Sequence, residues 1–264
     1  DLKIFKDNNL IPIINSINEY TRVVNSNLKF GLHIDTGINR LGIQYKEITN
    51  EIYNNKNIKI IISHLASADE RKNKYNNSQK NKFLEITKKF NNKNIIYSLS
   101  NSNGSVLSKS YLFDMIRPGI GLYGGNNNNL ILKKKLKPVI KVIGKIIQIK
   151  TINKDEFVGY NQTYKTNKKI KVAIIGAGYA DGIPRSLSNK GVVYFKNSKF
   201  YIIGRISMDS FTIDITYSKH NFKLGMYIDL INHKHDIENY AKQCETISNE
   251  ILTSLGKRIK RVYV

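Results

Sequence analysis

Small polar and charged side chains follow several apolar runs in the first half of the chain, and their types suit a binding site. These segments are Asp35-Thr36-Gly37, Ser63-His64, Asn101-Ser102 and Arg117-Pro118-Gly119. Hydroxyl and backbone N–H groups near the ends of barrel strands commonly bind phosphate, and an arginine stays protonated under ordinary conditions. Taken alone, a Ser-Asn turn or an arginine before Pro-Gly is more often a plain surface loop.

The apolar runs that precede these polar residues predict β-strands. The candidate strands are Leu10–Ile14, Leu28–Asp35, Ile58–Leu65, Asn94–Ser100 and Phe113–Arg117. Helix-like stretches alternate with them at Asn15–Ser26, Tyr45–Asn54, Ser78–Asn91 and Gly104–Lys109. This alternation predicts parallel strands whose C-terminal ends form the site. A complete (β/α)8 barrel has eight strands. We therefore predict an incomplete TIM-type barrel whose unpaired edge, beside the first strand, aggregates or recruits a complementing chain.

The pattern changes after Gly124-Gly125 and the asparagine run that follows. Short strands and turns replace the alternation, at Val139–Lys150, Ile170–Ile175, Val192–Phe195, Phe200–Ile206, Phe211–Ile215 and Met226–Ile231. A helical period returns only in the region Asn239–Leu255. We therefore predict an α/β plus β protein with two domains: residues 1–125 as the C-terminal part of a (β/α) barrel, and residues 126–264 as a mostly β domain.

Composition narrows the functional classes. The net charge of +23 invites a nucleic-acid hypothesis, but the lysines are scattered rather than clustered with aromatic residues, so we expect no specific nucleic-acid partner. The apolar runs are far shorter than the roughly 20 residues of a membrane helix, so we expect no membrane partner. Cys244 is the single cysteine, which excludes an intramolecular disulfide, and the first residues do not form a signal peptide. We expect a cytoplasmic protein.

Seven longer motifs are more specific than the single residues. In chain order they read HIDTGINRLGI, SHLASADE, SLSNSNGS, MIRPGIGLYG, GYADGIPRSLSNKG, IIGRISMDSFTIDIT and SNEILTSLGKRIKRVYV. Their order and approximate spacing resemble the alanine racemase family over nearly the whole chain. The resemblance implies a barrel that binds pyridoxal 5'-phosphate (PLP), followed by a C-terminal β domain.

The chemistry of such an enzyme explains which residue types it needs. Racemisation removes a proton from one face of Cα and returns one to the other, so it needs two acid/base groups and an electron sink, which PLP provides. The resemblance implies that Arg117 faces the pyridine nitrogen. It also implies that Tyr179 is the acid/base on the L-alanine face, in a network with His64. A phenol, with its ordinary pKa of about 10, needs positive neighbours or hydrogen bonds to act as a base.

The resemblance also implies binding residues for cofactor and substrate. The phosphate-side residues of the cofactor site are Asn101, Ser102, Gly119 and Ile120. The substrate-side residues for alanine are Arg40, Met208 and Asp209. In the family, the neighbouring subunit supplies the residues that correspond to Tyr179, Met208 and Asp209. The resemblance therefore implies a homodimer with a composite active site.

Three features depart from the family pattern. His33 stands where the family often has a lysine, and it could donate to a carboxylate or simply cap its strand. Asn249 replaces a tyrosine that usually reaches the cofactor's phosphate. The family's Lys-Ala-Asn-x-Tyr-Gly-His block, which carries the cofactor-binding lysine, is absent from the 264 residues. We therefore expect these residues alone neither to form a lysine aldimine nor to racemise alanine, and an upstream fragment with that block to restore activity.

Two functions remain open on these grounds. The first is an alanine racemase that interconverts L-alanine and D-alanine by two-base proton transfer on a PLP aldimine, and so supplies D-alanine for peptidoglycan. The second is a catalytically inactive remnant, or a split-enzyme fragment, that lacks the PLP lysine. The retained tyrosine, arginine and histidine favour the first function as ancestry, and the absent lysine favours the second as present activity.

Overall fold

A computed structural model describes residues 2–126 and 130–264, with only the backbone for Leu130 and Lys135. The chain divides into two compact units. Unit 1 comprises Asp1–Leu122 with Asn128–Lys135, and unit 2 comprises Tyr123–Asn127 with Leu136–Val264. The asparagine run at the start of the predicted β domain lies partly outside the described residues, at positions 127–129.

Unit 1 is built on a parallel sheet. Its helices are α1 (Leu2–Asp7), α2 (Ile17–Val23), α3 (Asn50–Asn54), α4 (Lys74–Thr87) and α5 (Leu130–Lys135). Its strands are β1 (Ile13–Ile14), β2 (Phe30–Asp35), β3 (Ile43–Gln44), β4 (Ile58–Ile62) and β5 (Ile96–Ser98). The strand order is β1-β2-β4-β5, β3 also pairs with β2, and every pairing is parallel. The sheet therefore has the strand direction that the alternating pattern predicts.

Strand β2 lies at the centre of this sheet and is buried on both faces. Phe30, Leu32 and Ile34 are fully buried on one side of the strand. On the other side Gly31 leaves no room for a side chain, because an added Cβ would lie 2.5 Å from the side chain of Ile13. Strands covered on both faces are typical of parallel sheets. Burial of each large apolar side chain stabilises the unit by about 1.5–3 kcal/mol.

Helix α4 covers the sheet with a face that is only partly apolar. Asn73 caps its N-terminus, because the side chain accepts a hydrogen bond from the backbone N–H of Tyr75 at 2.9 Å. Phe83 and Ile86 are fully buried along the inward face of the helix. The first two turns of the same face carry buried amides instead of apolar groups. These amides hold the loop that follows β4.

The predicted strand Phe113–Arg117 is wrong. Phe113 has a φ of +51°, which breaks an extended run. The backbone N–H groups of Asp114 and Met115 both donate to the carbonyl oxygen of Tyr97, at 3.1 and 3.2 Å. Two successive residues that share one acceptor cannot continue a strand ladder, in which donors alternate between sides. The segment instead runs as irregular chain past the end of β5.

Other elements of unit 1 differ from the sequence-based expectation in length. The predicted helix Tyr45–Asn54 is interrupted at Ile48 and Thr49, which are extended. The predicted helix Gly104–Lys109 is replaced by two short 3-10 turns, Gly104–Val106 and Lys109–Tyr111. Strand β3 was not predicted, because two residues are too few for a periodic signal.

Unit 2 contains a closed antiparallel barrel. Its strands are β6 (Val142–Ile152), β7 (Phe157–Val158), β8 (Tyr164–Lys165), β9 (Ile170–Ile175), β10 (Val192–Phe195), β11 (Ser198–Ile203), β12 (Phe211–Asp214) and β13 (Tyr227–Ile231). The barrel closes in the order β10-β11-β12-β9-β6-β13, and β7 pairs with β8 as a separate hairpin. Two helices follow, α6 (Ile237–Gln243) and α7 (Ser248–Ser254).

The barrel of unit 2 has an alternating burial pattern. Along β6, Val142 and Ile146 are buried, whereas Ile143 and Ile147 are exposed. The core also includes buried side chains from α6 and α7, among them Tyr240. Among the described residues, no helix is both long enough and apolar enough to cross a membrane.

Candidate active site

The guanidinium of Arg117 joins the C-terminal ends of β4 and β5. One terminal nitrogen donates to the carbonyl oxygen of Ser98 at 2.9 Å and to its hydroxyl at 2.5 Å. The other donates to the carbonyl oxygen of Ser63 at 2.5 Å. The backbone N–H of Arg117 donates to Ser100 at 2.8 Å. The cation is therefore fixed at the strand ends where a barrel carries its site.

Arg117 has hydrogen-bond acceptors but no counter-ion among the residues that the structure describes. None of the ion pairs found among the described residues involves it, so only neutral oxygens surround the guanidinium. Burial lowers the pKa of Arg117, but a guanidinium remains protonated at neutral pH. Three of its five N–H groups donate to Ser63 and Ser98. The remaining donors and the uncompensated charge can bind an electron-rich group.

His64 is the second residue after the end of β4 and is neutral near pH 7. Burial, followed by the charges of Arg117, Arg40 and His33, lowers its pKa to about 4. The structure thus brings His64, Arg117 and Arg40 into one electrostatic cluster in unit 1. A neutral imidazole has one donor and one acceptor nitrogen, so it can relay a hydrogen bond.

His33 is 7% exposed and belongs to the same cluster. Its Nδ1 lies 3.0 Å from Oδ1 of Asn15, and the amide nitrogen of Asn15 donates to the carbonyl oxygen of Ile13. This second bond orients the amide, so Nδ1 of His33 is the donor. Burial, followed by the charge of Arg117, lowers the pKa of His33. Its Nε2 is then a buried acceptor without a partner among the described residues.

The predicted phosphate-side residues of unit 1 lie together in the structure. The hydroxyl of Ser102 accepts hydrogen bonds from the backbone N–H groups of Gly119 and Gly121, at 2.9 and 3.1 Å. The side chain of Asn101 accepts from the backbone N–H of Gly104 at 2.9 Å. A Cβ added at Gly119 would meet no atom within 4 Å. Open space therefore lies beside a hydroxyl whose own proton is free to donate. Ile120 is buried, so only its backbone can contribute.

Arg40 is exposed, at the end of a turn that Asp35 organises. One carboxylate oxygen of Asp35 accepts from the backbone N–H groups of Gly37 and Asn39, at 2.8 and 3.2 Å. The phenol of Tyr75 donates to the carbonyl oxygen of Gly37 at 2.8 Å. Both contacts hold the turn that presents the Arg40 side chain to solvent.

In unit 2, two turns bring Tyr179, Met208 and Asp209 together. The backbone N–H of Tyr179 donates to Ser207 at 3.1 Å, and that of Ala180 donates to Met208 at 3.0 Å. Gly178 permits this approach, because a Cβ there would lie 2.2 Å from the carbonyl oxygen of Met208. The phenol ring of Tyr179 is 46% exposed. It lines a cavity of about 390 Å³ together with Tyr160, Asn161, Arg185 and Ile206.

Sequence reasoning missed Arg258, which braces these two turns. Its guanidinium lies 3.3 Å from the carboxylate of Asp181 and 2.6 Å from that of Asp209. Asp181 in turn accepts the backbone N–H of Gly178 at 2.9 Å. An arginine in the terminal motif was visible in the sequence, but its partners lie far away along the chain. Asn249, in contrast, is exposed on α7.

These features define the class of protein as an enzyme with a (β/α)-barrel site and an antiparallel barrel domain. The family model described as alanine racemase, N-terminal domain, matches residues 1–127, and the model for the alanine racemase C-terminal domain matches residues 139–263. The alanine racemase of Brucella abortus is 37% identical over 97% of this chain and 70% of its own length. That of Rickettsia bellii is 37% identical over 97% of this chain and 65% of its own length.

Solved structures agree with these relatives. The alanine racemase of Bartonella henselae, with covalently bound pyridoxal phosphate, matches with a TM-score of 0.90 and 35% identity. The match covers 99% of this chain and 75% of that one. The alanine racemase of Clostridium difficile 630 matches with a TM-score of 0.84 and 28% identity, over 98% of this chain and 72% of that one.

This chain belongs to the alanine racemase family, a family of isomerases. The predicted family is thereby confirmed, and so is the fold class of a partial TIM-type barrel followed by a mostly β domain. The matches favour the racemase over the inactive remnant, because they extend through both units at nearly full coverage of the chain.

Proposed function

We propose that this chain interconverts L-alanine and D-alanine with PLP as the cofactor. The 264 residues supply every assigned group of the site except the lysine that binds the cofactor. The observation that carries the proposal is Arg117, a fixed cation at the ends of β4 and β5 that has no carboxylate partner among the described residues. Facing a pyridine nitrogen, it would donate a hydrogen bond and leave that nitrogen unprotonated.

The residues of unit 1 fit two parts of PLP. The hydroxyl proton of Ser102 and the open space beside Gly119 suit the phosphate group. The free N–H groups of Arg117 suit the ring nitrogen. When bound, PLP supplies the electron sink for the carbanion at Cα. An unprotonated ring is a weaker sink than a protonated one, which disfavours leakage into transamination.

Proton transfer on the L-alanine face is assigned to Tyr179. Its phenol oxygen takes the α-proton of L-alanine and returns it in the reverse direction. His64 and Arg117 provide the neighbouring network: His64 relays a hydrogen bond as a neutral imidazole, and Arg117 supplies positive charge that favours a phenolate. The D-alanine face is served by the cofactor-binding lysine, which must come from a Lys-Ala-Asn-x-Tyr-Gly-His block.

Substrate binding is assigned to Arg40, Met208 and Asp209. The backbone N–H of Met208 makes no hydrogen bond among the described residues, so it can bind the carboxylate of alanine. The Asp209 carboxylate is paired with Arg258, which limits its repulsion of that anion. Arg40 adds positive charge on the cofactor side.

We further propose a homodimer in which Tyr179, Met208 and Asp209 of one copy complete the site of the other. We propose a domain boundary between residues 125 and 126, with the cofactor held by the barrel domain and the L-face base carried by the β domain. The product D-alanine would supply peptidoglycan synthesis in the cytoplasm.

The experiment is a complementation assay. The 264-residue chain is mixed with, or fused to, an alanine racemase segment that carries the lysine block, and D-alanine is measured by chiral chromatography. We expect no turnover by the chain alone and turnover by the complemented protein. Arg117→Met should lower that turnover by at least 100-fold. Arg22→Met, on the exposed face of α2, is the matched control and should leave turnover unchanged.

Two results would contradict the proposal. One is full turnover by complemented Arg117→Met. The other is a complemented wild-type protein that binds PLP covalently and yet interconverts no alanine.

A further inference from the structure

Helix α4 holds the loop after β4 by two buried amide side chains one turn apart. Asn76 donates to the carbonyl oxygens of Ser67 and Glu70, at 2.9 and 3.0 Å. Gln79 contacts the start of the same loop, next to His64. Both amides are almost fully buried: Asn76 is 2% exposed and Gln79 is 1% exposed. Buried amides on the inward face of a helix need such partners, because an unpaired one costs about 1–3 kcal/mol.

The hydrogen bonds of Gln79 have a polarity that only an amide can satisfy. Its oxygen accepts from the backbone N–H of Ala66 at 2.8 Å. Its nitrogen donates to the carbonyl oxygen of His64 at 3.0 Å and to the hydroxyl of Thr36 at 3.3 Å. A carboxylate would lose both donors, and a thioether would lose all three bonds. The amide thus fixes the peptide groups on both sides of Leu65, and with them the Cα position of His64.

The network continues from Thr36 to Arg117. The hydroxyls of Thr36 and Ser63 lie 2.7 Å apart, and both residues are buried. The carbonyl oxygen of Ser63 is one of the acceptors of the Arg117 guanidinium. Gln79 therefore contacts the backbone of His64 directly and reaches the Ser63 acceptor of Arg117 through Thr36. It makes no hydrogen bond to the imidazole of His64 or to the guanidinium of Arg117.

We propose that Gln79 is a positioning residue that holds His64 and the Ser63 acceptor of Arg117 in the geometry of the site. It touches neither substrate nor cofactor, and it acts through the backbone of Ser63–Ala66. The consequence for turnover rests on the proposed racemase function, whereas the consequence for the environment of His64 does not.

The test is the titration of His64, followed by NMR of its ring protons in the 264-residue chain. In the wild-type chain, burial and the charges of Arg117, Arg40 and His33 set its pKa at about 4. Gln79→Met keeps the length of the side chain and removes the hydrogen bonds. The released loop admits water to the imidazole, and we expect the pKa of His64 to rise by about 1 or more towards its ordinary value of about 6.5.

Asn76→Leu is the matched control, since it removes a buried amide from the same helix and the same loop. It should lower the urea midpoint as Gln79→Met does but leave the titration of His64 within about 0.3 of the wild type. In the complemented enzyme, Gln79→Met should lower kcat at least 10-fold, and Asn76→Leu less than 3-fold.

An unchanged His64 titration in folded Gln79→Met would overturn the proposal, as would an equal shift in Asn76→Leu. Should circular dichroism show that Gln79→Met does not fold, Gln79→Asn decides, because its amide is one methylene shorter and cannot keep the bonds to His64 and Ala66 at 3.0 and 2.8 Å. A raised pKa of His64 in Gln79→Asn supports the proposal, and an unchanged one contradicts it. A shifted titration without alanine turnover in any complemented protein would keep the positioning role and remove the racemase function.

Discussion

The partly buried imidazole of His64 should make the folded chain sensitive to mild acid. In the unfolded chain His64 has its ordinary pKa of about 6.5, whereas in the folded chain its pKa is about 4. At pH 7 both states are neutral at this residue. As the pH falls below about 6.5, the unfolded state binds a proton that the folded state does not accept until about pH 4. The free energy of unfolding therefore decreases over that window.

The magnitude follows from the difference between the two pKa values. A difference of about 2.5 corresponds to about 3 kcal/mol at 1.36 kcal/mol for each pH unit. Because the ring is partly exposed, screening by solvent reduces this value, and we expect about 1–2 kcal/mol. His64→Gln removes the titrating group. Between pH 7 and pH 4, the free energy of unfolding should therefore decrease less in this variant than in the wild type, and the difference should be about 1–2 kcal/mol.

Urea denaturation, followed by circular dichroism at several pH values, measures this difference. His233→Gln is the control, because it makes the same substitution at an exposed histidine of unit 2. Parallel curves for the wild type and His64→Gln between pH 7 and pH 4 would refute the lowered pKa of His64 in the folded chain.

Three further substitutions test other parts of the site. Gly178→Ala places a Cβ against the carbonyl oxygen of Met208 and should destabilise the chain by about 2 kcal/mol in urea denaturation. Gly119→Ala enters open space, so stability should change by less than about 0.5 kcal/mol while PLP affinity, measured by equilibrium dialysis, falls about 10-fold. Arg258→Gln breaks the ion pairs with Asp181 and Asp209 and should lower the urea midpoint only slightly, an effect that 1 M salt removes.

Elements with a strong local signal were predictable from sequence. Strands β9 and β10 have the predicted bounds, because β-branched and aromatic runs end there at glycine or lysine turns. The segment Phe113–Arg117 carries a similar apolar signal, yet the positive φ of Phe113 and the shared acceptor Tyr97 depend on the fold around it. Tertiary contacts therefore override local propensity at that point.

Only those site residues that lie in family motifs were predictable from the sequence. His64, Arg117 and Tyr179 lie in family motifs, and the structure gives each a defined place. Gln79 and Arg258 act across 13 or more positions of sequence, on partners that no periodicity relates to them. A buried glutamine at an inward helix position is nevertheless a usable signal, because such an amide requires partners.

The most direct test of the proposed racemase site is exchange of the α-hydrogen of alanine in D2O, followed by proton NMR in the complemented enzyme. The two bases act on opposite faces of Cα. Tyr179→Phe should therefore abolish exchange from L-alanine and retain exchange from D-alanine, whose α-proton the lysine removes. Tyr201→Phe, an exposed tyrosine on β11, should leave both rates unchanged. Undiminished exchange from L-alanine in Tyr179→Phe would contradict the account.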